Sequence, residues 1–299
     1  MLMPVYGHIK ANRRRTFFLF FFFALLFLGV GYVLGLYMGD PYFGIIAAAV
    51  IALLILLISY YAGGNVVTSM AGAHPVSKEE EPYLYHTVEG LSIAAGIPTP
   101  PVYIIETDIP NAFAAGRNPE KAIIAVTRGL LNKLNRLELE GVIAHELSHV
   151  RNYDILIATM AIVLAGTIVF VSEAVRRSMW FGGRRSGGKR NSGGQALIMI
   201  IVLILALLAP LFARILQFAI SREREYLADA GAAELTGYPE GLASALEKIS
   251  GQQIKEGPLD KQALQGLYIV NPAMSRTTAS LLFATHPPIE KRIQRLREM

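Results

Sequence analysis

Two kinds of apolar patterning alternate along the chain. Phe17 to Met38 is apolar without interruption, and Gly44 to Gly63 is again apolar throughout. As a helix the first run rises about 33 Å, enough for a hydrocarbon core of about 30 Å. Only Gly39-Asp40-Pro41-Tyr42-Phe43 separates the two, so the pattern predicts a transmembrane hairpin. The first run is too long for the core of a cleaved signal peptide and lacks a small-x-small cleavage site, despite its basic flank Lys10, Arg13, Arg14 and Arg15. From Gly64 to about Asn152 the pattern changes to short periodic segments of globular type. Ser77-Lys78-Glu79-Glu80 has the form of a capping box, followed by an amphipathic helix from Tyr83 to Ala95. Val102 to Ile105 and Ala122 to Thr127 read as strands of a small sheet, with a polar turn at Gly116-Arg117-Asn118-Pro119. Asn135 followed by Glu138 marks a helix start, and Leu139, Val142, Ile143 and Val150 carry that helix onward.

Two weaker apolar runs follow, Ile155 to Val171 and Ala196 to Ile220, with Glu173, Pro210 and Arg214 at or inside their ends. They predict a third and a fourth apolar helix, joined by a Gly/Ser/Arg-rich loop at 176–194 expected to be flexible. After Gly231 the composition is that of a soluble protein and ends in a charged helix from Ile289.

Composition sharpens this picture. Of 299 residues 53% are hydrophobic and only 17% charged, which excludes an ordinary soluble domain. The net charge of +5 does not indicate nucleic acid, because most basic residues flank the apolar runs, where lipid headgroups account for them. Their distribution places the globular parts on the cytoplasmic side, although Arg176, Arg177, Arg184, Arg185, Lys189 and Arg190 in the basic loop oppose it. The absence of cysteine removes disulfides, a thiolate nucleophile and any Cys-ligated metal.

The chemistry is concentrated in His145-Glu146-Leu147-Ser148-His149. Histidines four apart share a helix face, so both imidazoles can hold one metal ion. Glu146 between them can act as general base on a water whose pKa a divalent zinc lowers toward about 7. A catalytic zinc takes three protein ligands, and without cysteine the third is a histidine or a carboxylate. Glu225 is the candidate, with Asp229 one turn on to accept the second ring proton of a ligand histidine. Glu223 points elsewhere on that helix and reads as a solvated charge. The long gap from His149 to Glu225 closes if the second apolar hairpin returns to the side it left, which puts the metal near the bilayer surface. His8, His74 and His86 have no partner at ligand spacing.

The zinc motif, the distant Glu-x-x-x-Asp after two apolar runs, Asn111-Ala112-Phe113-Ala114 upstream and Thr285-His286-Pro287-Pro288 near the end resemble the HtpX-like membrane zinc metalloproteases, relatives of the CaaX prenyl proteases. The resemblance covers essentially the whole chain. It implies an α-helical membrane protein with an α+β zincin-like catalytic domain of gluzincin type and four apolar helices, multi-pass in the inner cell membrane and facing the cytoplasm. It further implies one Zn²⁺ per subunit and the hydrolysis of misfolded or damaged membrane proteins, with the lipid bilayer and unfolded or membrane protein substrates as partners. By the same carry-over, Asn111 sits beside the substrate-binding strand, Phe113 is a further substrate-binding residue, and His286 helps to stabilise the oxyanion. Asp154 matches a recurrent acid of that family, while pairing with Arg151 or Arg222 explains it equally well. On this reading residues 1–64 form the transmembrane hairpin and 65–154 the first catalytic segment. The second apolar hairpin is 155–220, and 221–299 supply the rest of the site. Removal of a prenylated C-terminal tripeptide and a non-catalytic zinc-binding scaffold or sensor are the competing functions. The presence of Glu146, which metal binding alone does not require, argues against the scaffold.

Overall fold

The computed structural model describes residues 3–182, 222–250 and 287–299. Helices α1 (Met3–Met38) and α2 (Pro41–Ala71) form an antiparallel pair. Asp40 caps α2, its Oδ1 accepting the amides of Tyr42 and Phe43 at 3.0 Å each, and Pro41 occupies the first helical turn, where its missing N–H costs nothing. Gly31 and Gly35 of α1 meet Gly44 and Ala48 of α2 so closely that a Cβ on Gly31 or Gly44 would strike the opposite backbone. Such contact holds helices together in lipid, where apolar side chains gain little by leaving an equally apolar solvent. The outward faces carry exposed Phe17, Phe18, Phe21, Phe22, Leu53 and Leu54. Among the described residues, α1 and α2 are the two helices long and apolar enough to cross a membrane.

Helix α2 runs beyond the expected boundary at Gly63, ending at a left-handed Gly72. The extension has a packing reason: Val67 and Ala71 are fully buried against the sheet. The sheet has the order β1 (His74–Pro75), β2 (Val102–Ile105), β4 (Ile123–Thr127), β3 (Ala112–Ala115), with β2 and β4 parallel and the outer pairs antiparallel. One face, with Ile104, Ala112, Ala114, Ile124 and Val126, packs on α3 (Pro82–Ala95) and on helices that follow the sheet in the chain. The other, with Ile105, Phe113, Ala115 and Ala125, packs on α2 and on Ile162 and Val163. Burial on both sides explains why Ile123 to Val126 reads as a continuous apolar run.

The reciprocal bonds expected of Ser77 and Glu80 exist, but they close a turn ahead of α3 rather than cap it. Pro82, which has no N–H to give the preceding turn, starts the helix instead. A short α4 (Arg128–Lys133) precedes α5 (Arg136–Arg151), whose capping box is complete: Asn135 Oδ1 accepts Glu138 N–H at 3.0 Å and Glu138 Oε2 accepts Asn135 N–H at 2.9 Å. Glu138 also accepts Ser244 Oγ and Lys248 Nζ at 2.7 Å each, locking α5 to α8 (Pro239–Ser250). At Asn152-Tyr153 the chain turns 89° into α6 (Asp154–Gly182), with Tyr153 at φ 60°. The apolar start of α6, with Ile157, Met160, Ala161 and Leu164, packs on Leu19, Phe23 and Ala52 of the hairpin.

Helix α6 continues through Arg176 to Gly182, the first part of the loop expected at 176–194. Arg-Arg-Ser-Met-Trp-Phe is compatible with a helix, and the glycine-rich composition begins only at Gly182. The apolar run 196–220 that predicts a fourth helix lies outside the described residues. Helices α7 (Arg222–Thr236), α8 and α9 (Ile289–Arg297) complete the core.

Candidate active site

Helix α5 presents His145, Glu146 and His149, and α7 lies alongside it with Glu225 and Asp229, all buried except His149, which is partly so. The approach of the two helices depends on Gly231: any Cβ there would strike Ser148, the residue between the histidines' turns. Each imidazole is fixed through Nδ1. His145 Nδ1 is 3.0 Å from Asp229 Oδ1, and His149 Nδ1 is 3.0 Å from Asp154 Oδ2 at the start of α6. A carboxylate on Nδ1 selects the tautomer that leaves Nε2 as a lone-pair donor. The two Nε2 atoms face the carboxylate of Glu225, His145 at 3.7 Å from Oε2 and His149 at 3.6 Å from Oε1. One ligand atom from each of His145, His149 and Glu225 lies within 4.8 Å of the others.

The cluster is rich in acids. Among the described residues, Glu146, Asp154, Glu225 and Asp229 are buried together with the guanidiniums of Arg224 and Arg292. Burial disfavours the imidazolium of His149, but the Asp154 hydrogen bond and the charges of Glu225 and Glu146 outweigh it and raise that group to about 9. Burial likewise lifts the Glu146 carboxyl above its ordinary range, opposed by the two imidazoles. Asp229 stays below its ordinary range despite burial, held there by Arg292 and His145. Glu146 Oε2 accepts the Ala114 N–H of edge strand β3 at 3.0 Å, and the next outward amide, Gly116, donates to Thr159 Oγ1 of α6 at 2.9 Å.

Asp154 pairs with His149 and, at 3.6 Å, with Arg224, whereas Arg151 reaches Glu234. Glu223 is exposed. Asn111 is fully buried at the head of β3, its N–H donating to Thr127 Oγ1 at 2.8 Å. The Phe113 side chain is 2% exposed and packs into the layer between sheet and membrane helices. His286 lies outside the described residues. Arg292 was not singled out by sequence, although a signal exists. It sits on the apolar stripe Ile289, Ile293, Leu296 of a helix that otherwise shows charges to solvent.

The pattern of peptidase family M48 matches residues 78–299. A protease HtpX homolog of Dictyoglomus turgidum is 47% identical over 98% of this chain and 94% of its own length. One from Streptococcus gordonii is 46% identical over 99% of this chain and its own full length (100%). One from Listeria monocytogenes is 45% identical with the same coverage of 99% and 100%. The crystal structure of S. mikatae Ste24p superposes with a TM-score of 0.49 at 17% identity, covering 97% of this chain and 66% of that one.

Proposed function

The chain belongs to peptidase family M48, and on that premise we propose that it is a membrane-bound zinc endopeptidase in which His145, His149 and Glu225 hold the metal and Glu146 is the general base. The observation that carries this reading is the approach of the three ligand atoms to within 4.8 Å. The donor set fits a divalent cation on two counts. Four carboxylates are buried around the site, where a divalent cation would help to neutralise them, and both histidines have Nδ1 anchored so that Nε2 is available. Two imidazoles and a carboxylate, without thiolate, make up a known ligand set of catalytic zinc, with one position left for water or substrate. Bound there, zinc supplies a Lewis acid that polarises a peptide carbonyl and acidifies a water.

The protein's own residues do the rest. Glu146, buried and raised in pKa, takes the proton from the attacking water and passes it to the leaving amine. Asp229 and Asp154 keep the two imidazoles oriented. The substrate is an extended segment added along the outer edge of β3, beside Asn111 and the backbone of Phe113. Its carbonyl takes over the Ala114 N–H, releasing Glu146 to the water. His286 is assigned to the developing oxyanion. Main-chain recognition of this kind suits unfolded or damaged membrane proteins, in keeping with a quality-control role. Segments 65–154 and 221–299 form one catalytic domain on the cytoplasmic side, interrupted by the apolar segment 155–220 and anchored by the hairpin 1–64.

The test is Glu146→Gln in the full-length chain, assayed on a casein-like unfolded protein. Metal content is expected to stay at one per chain while cleavage falls by a factor on the order of 10² to 10⁴. Cleavage at the wild-type rate by that variant would falsify the assignment of the base.

A further inference from the structure

The last helix of the chain reads as a solvated charged segment, yet its central arginine is the largest fully buried side chain in the protein's described residues. Arg292 Nε and Nη2 grip the two oxygens of Asp229 at 2.9 and 2.6 Å, a bidentate fork. Nη1 is 3.3 Å from Glu225 Oε2, and Nη2 lies 3.4 Å from His145 Nε2, against the ring. One guanidinium therefore touches a proposed ligand carboxylate, a proposed ligand imidazole and the acid that orients it. Its neighbours fix where it points. Arg297 ion-pairs with Glu240 and Glu247 of α8 at 3.0 and 2.9 Å, and the Arg295 guanidinium stacks 3.8 Å from the Tyr226 ring centroid on α7. Ile289, Ile293 and Leu296 seat the same helix on the core.

Resting on the metal site proposed above, we propose that Arg292 is a positioning residue of that site, and that α9 is thereby part of the metal centre. The physical reasoning is geometric. Asp229 can rotate about two side-chain torsions, and its observed setting puts an oxygen 3.0 Å from His145 Nδ1. The fork removes that freedom, because both oxygens are held in the guanidinium plane. By engaging Glu225 Oε2, Arg292 also leaves Oε1 as that residue's ligand oxygen, on the side of His149 Nε2. Lysine, a point charge without a fork, supplies the charge but not the orientation.

The test uses the full-length chain in lipid nanodiscs, carrying Glu146→Gln so that metal binding is read apart from turnover, with Co²⁺ as the probe ion. Arg292→Met is expected to weaken Co²⁺ binding 10- to 100-fold, the usual effect of losing a residue that supports metal ligands, and to change the visible d–d bands. Arg292→Lys restores thermal stability but not the affinity or the spectrum. With Asp229→Asn already present, Arg292→Met adds less than a twofold further loss, since the two act through one contact. In the active background the same change lowers kcat with little effect on KM. Equal affinity and an unchanged spectrum in Arg292→Met, with only the melting temperature lowered, makes Arg292 a packing residue and overturns the inference. Should Arg292→Met not fold, Arg292→Lys carries the test, and wild-type affinity and spectrum in that variant overturn it equally. If the parent chain binds no Co²⁺, the metal site itself fails and this inference falls with it.

Discussion

The membrane hairpin and the catalytic core are held together by opposite means. Helices α1 and α2 meet through missing side chains, Gly31 and Gly35 against Gly44 and Ala48, with no charge at the contact. Helices α5, α6, α7 and α9 meet around charges, four buried carboxylates and two buried guanidiniums beside two imidazoles. The solvent explains the difference. In lipid, packing depends on how closely two backbones approach. In the core, an apolar shell of Leu139, Val142, Ile143, Leu147 and Leu246 surrounds a polar cluster that is tolerable only when its charges are matched. The hairpin should therefore respond to side-chain size and the core to ions and protons.

The comparison breaks most severely under metal removal. Chelation is expected to abolish peptidase activity and to lower the stability of the catalytic core, by about 4 kcal/mol if free metal stood at about 1,000 times its Kd. Unfolding of the core, followed by hydrogen exchange in α5 and α7, should move, whereas exchange in α1 and α2 should not. A size change in the hairpin does the converse. Gly44→Leu places a side chain where backbone already lies and is expected to cost 1 to 3 kcal/mol, on the order seen for overpacking. Cysteine cross-linking between the two helices should fall, with metal affinity unchanged.

A size change inside the core separates the two kinds of sensitivity more finely. Gly231→Ala crowds the Ser148 side chain between α7 and α5, which must give way beside the histidines and Glu225. Metal affinity is expected to drop about tenfold, as when supporting residues of a metal site are disturbed, which isothermal titration would measure. The smallest effect is protonic. Burial opposes ionisation of Glu138, but Lys248, Ser244 and the Asn135 amide hold its carboxyl below the usual 4.5. A depressed folded-state pKa gives stability that is present above the unfolded value and lost as pH falls through the folded one. Glu138→Gln is expected to cost about 1 kcal/mol at pH 7, the value of a helix cap. That difference should vanish as denaturation is repeated well below pH 4.5.

Legibility in the sequence followed the range of the interaction. The hairpin, the capped α5 and the paired histidines were readable because each is written within one or two helical turns. Glu225 was reachable as a candidate because, without cysteine, few residue types could complete a ligand set, and the fold brings it to the two histidines. The residue pattern does not mark β3 as a strand, and only the family resemblance puts one beside Asn111, since Ala112, Ala114 and Ala115 have weak strand preference and are held extended by burial on both faces. The extension of α2 to Ala71 comes from packing against the sheet, which no local periodicity encodes. Arg292 stayed hidden because four further charged residues share its short helix, and only the tertiary fold turns it inward. The strands β1 and β3 and the corner at Tyr153 are likewise products of long-range contact.

The central proposition is that Glu225, arriving from α7, shares one metal ion with the two histidines of α5. X-ray absorption at the zinc edge, on the full-length chain and on Glu225→Ala, tests it most directly. One ion per chain is expected, with two imidazole nitrogens and a carboxylate oxygen at about 2.0 to 2.2 Å, and the Glu225→Ala spectrum should lose that oxygen while affinity falls sharply. A spectrum and affinity unaltered by Glu225→Ala would contradict it.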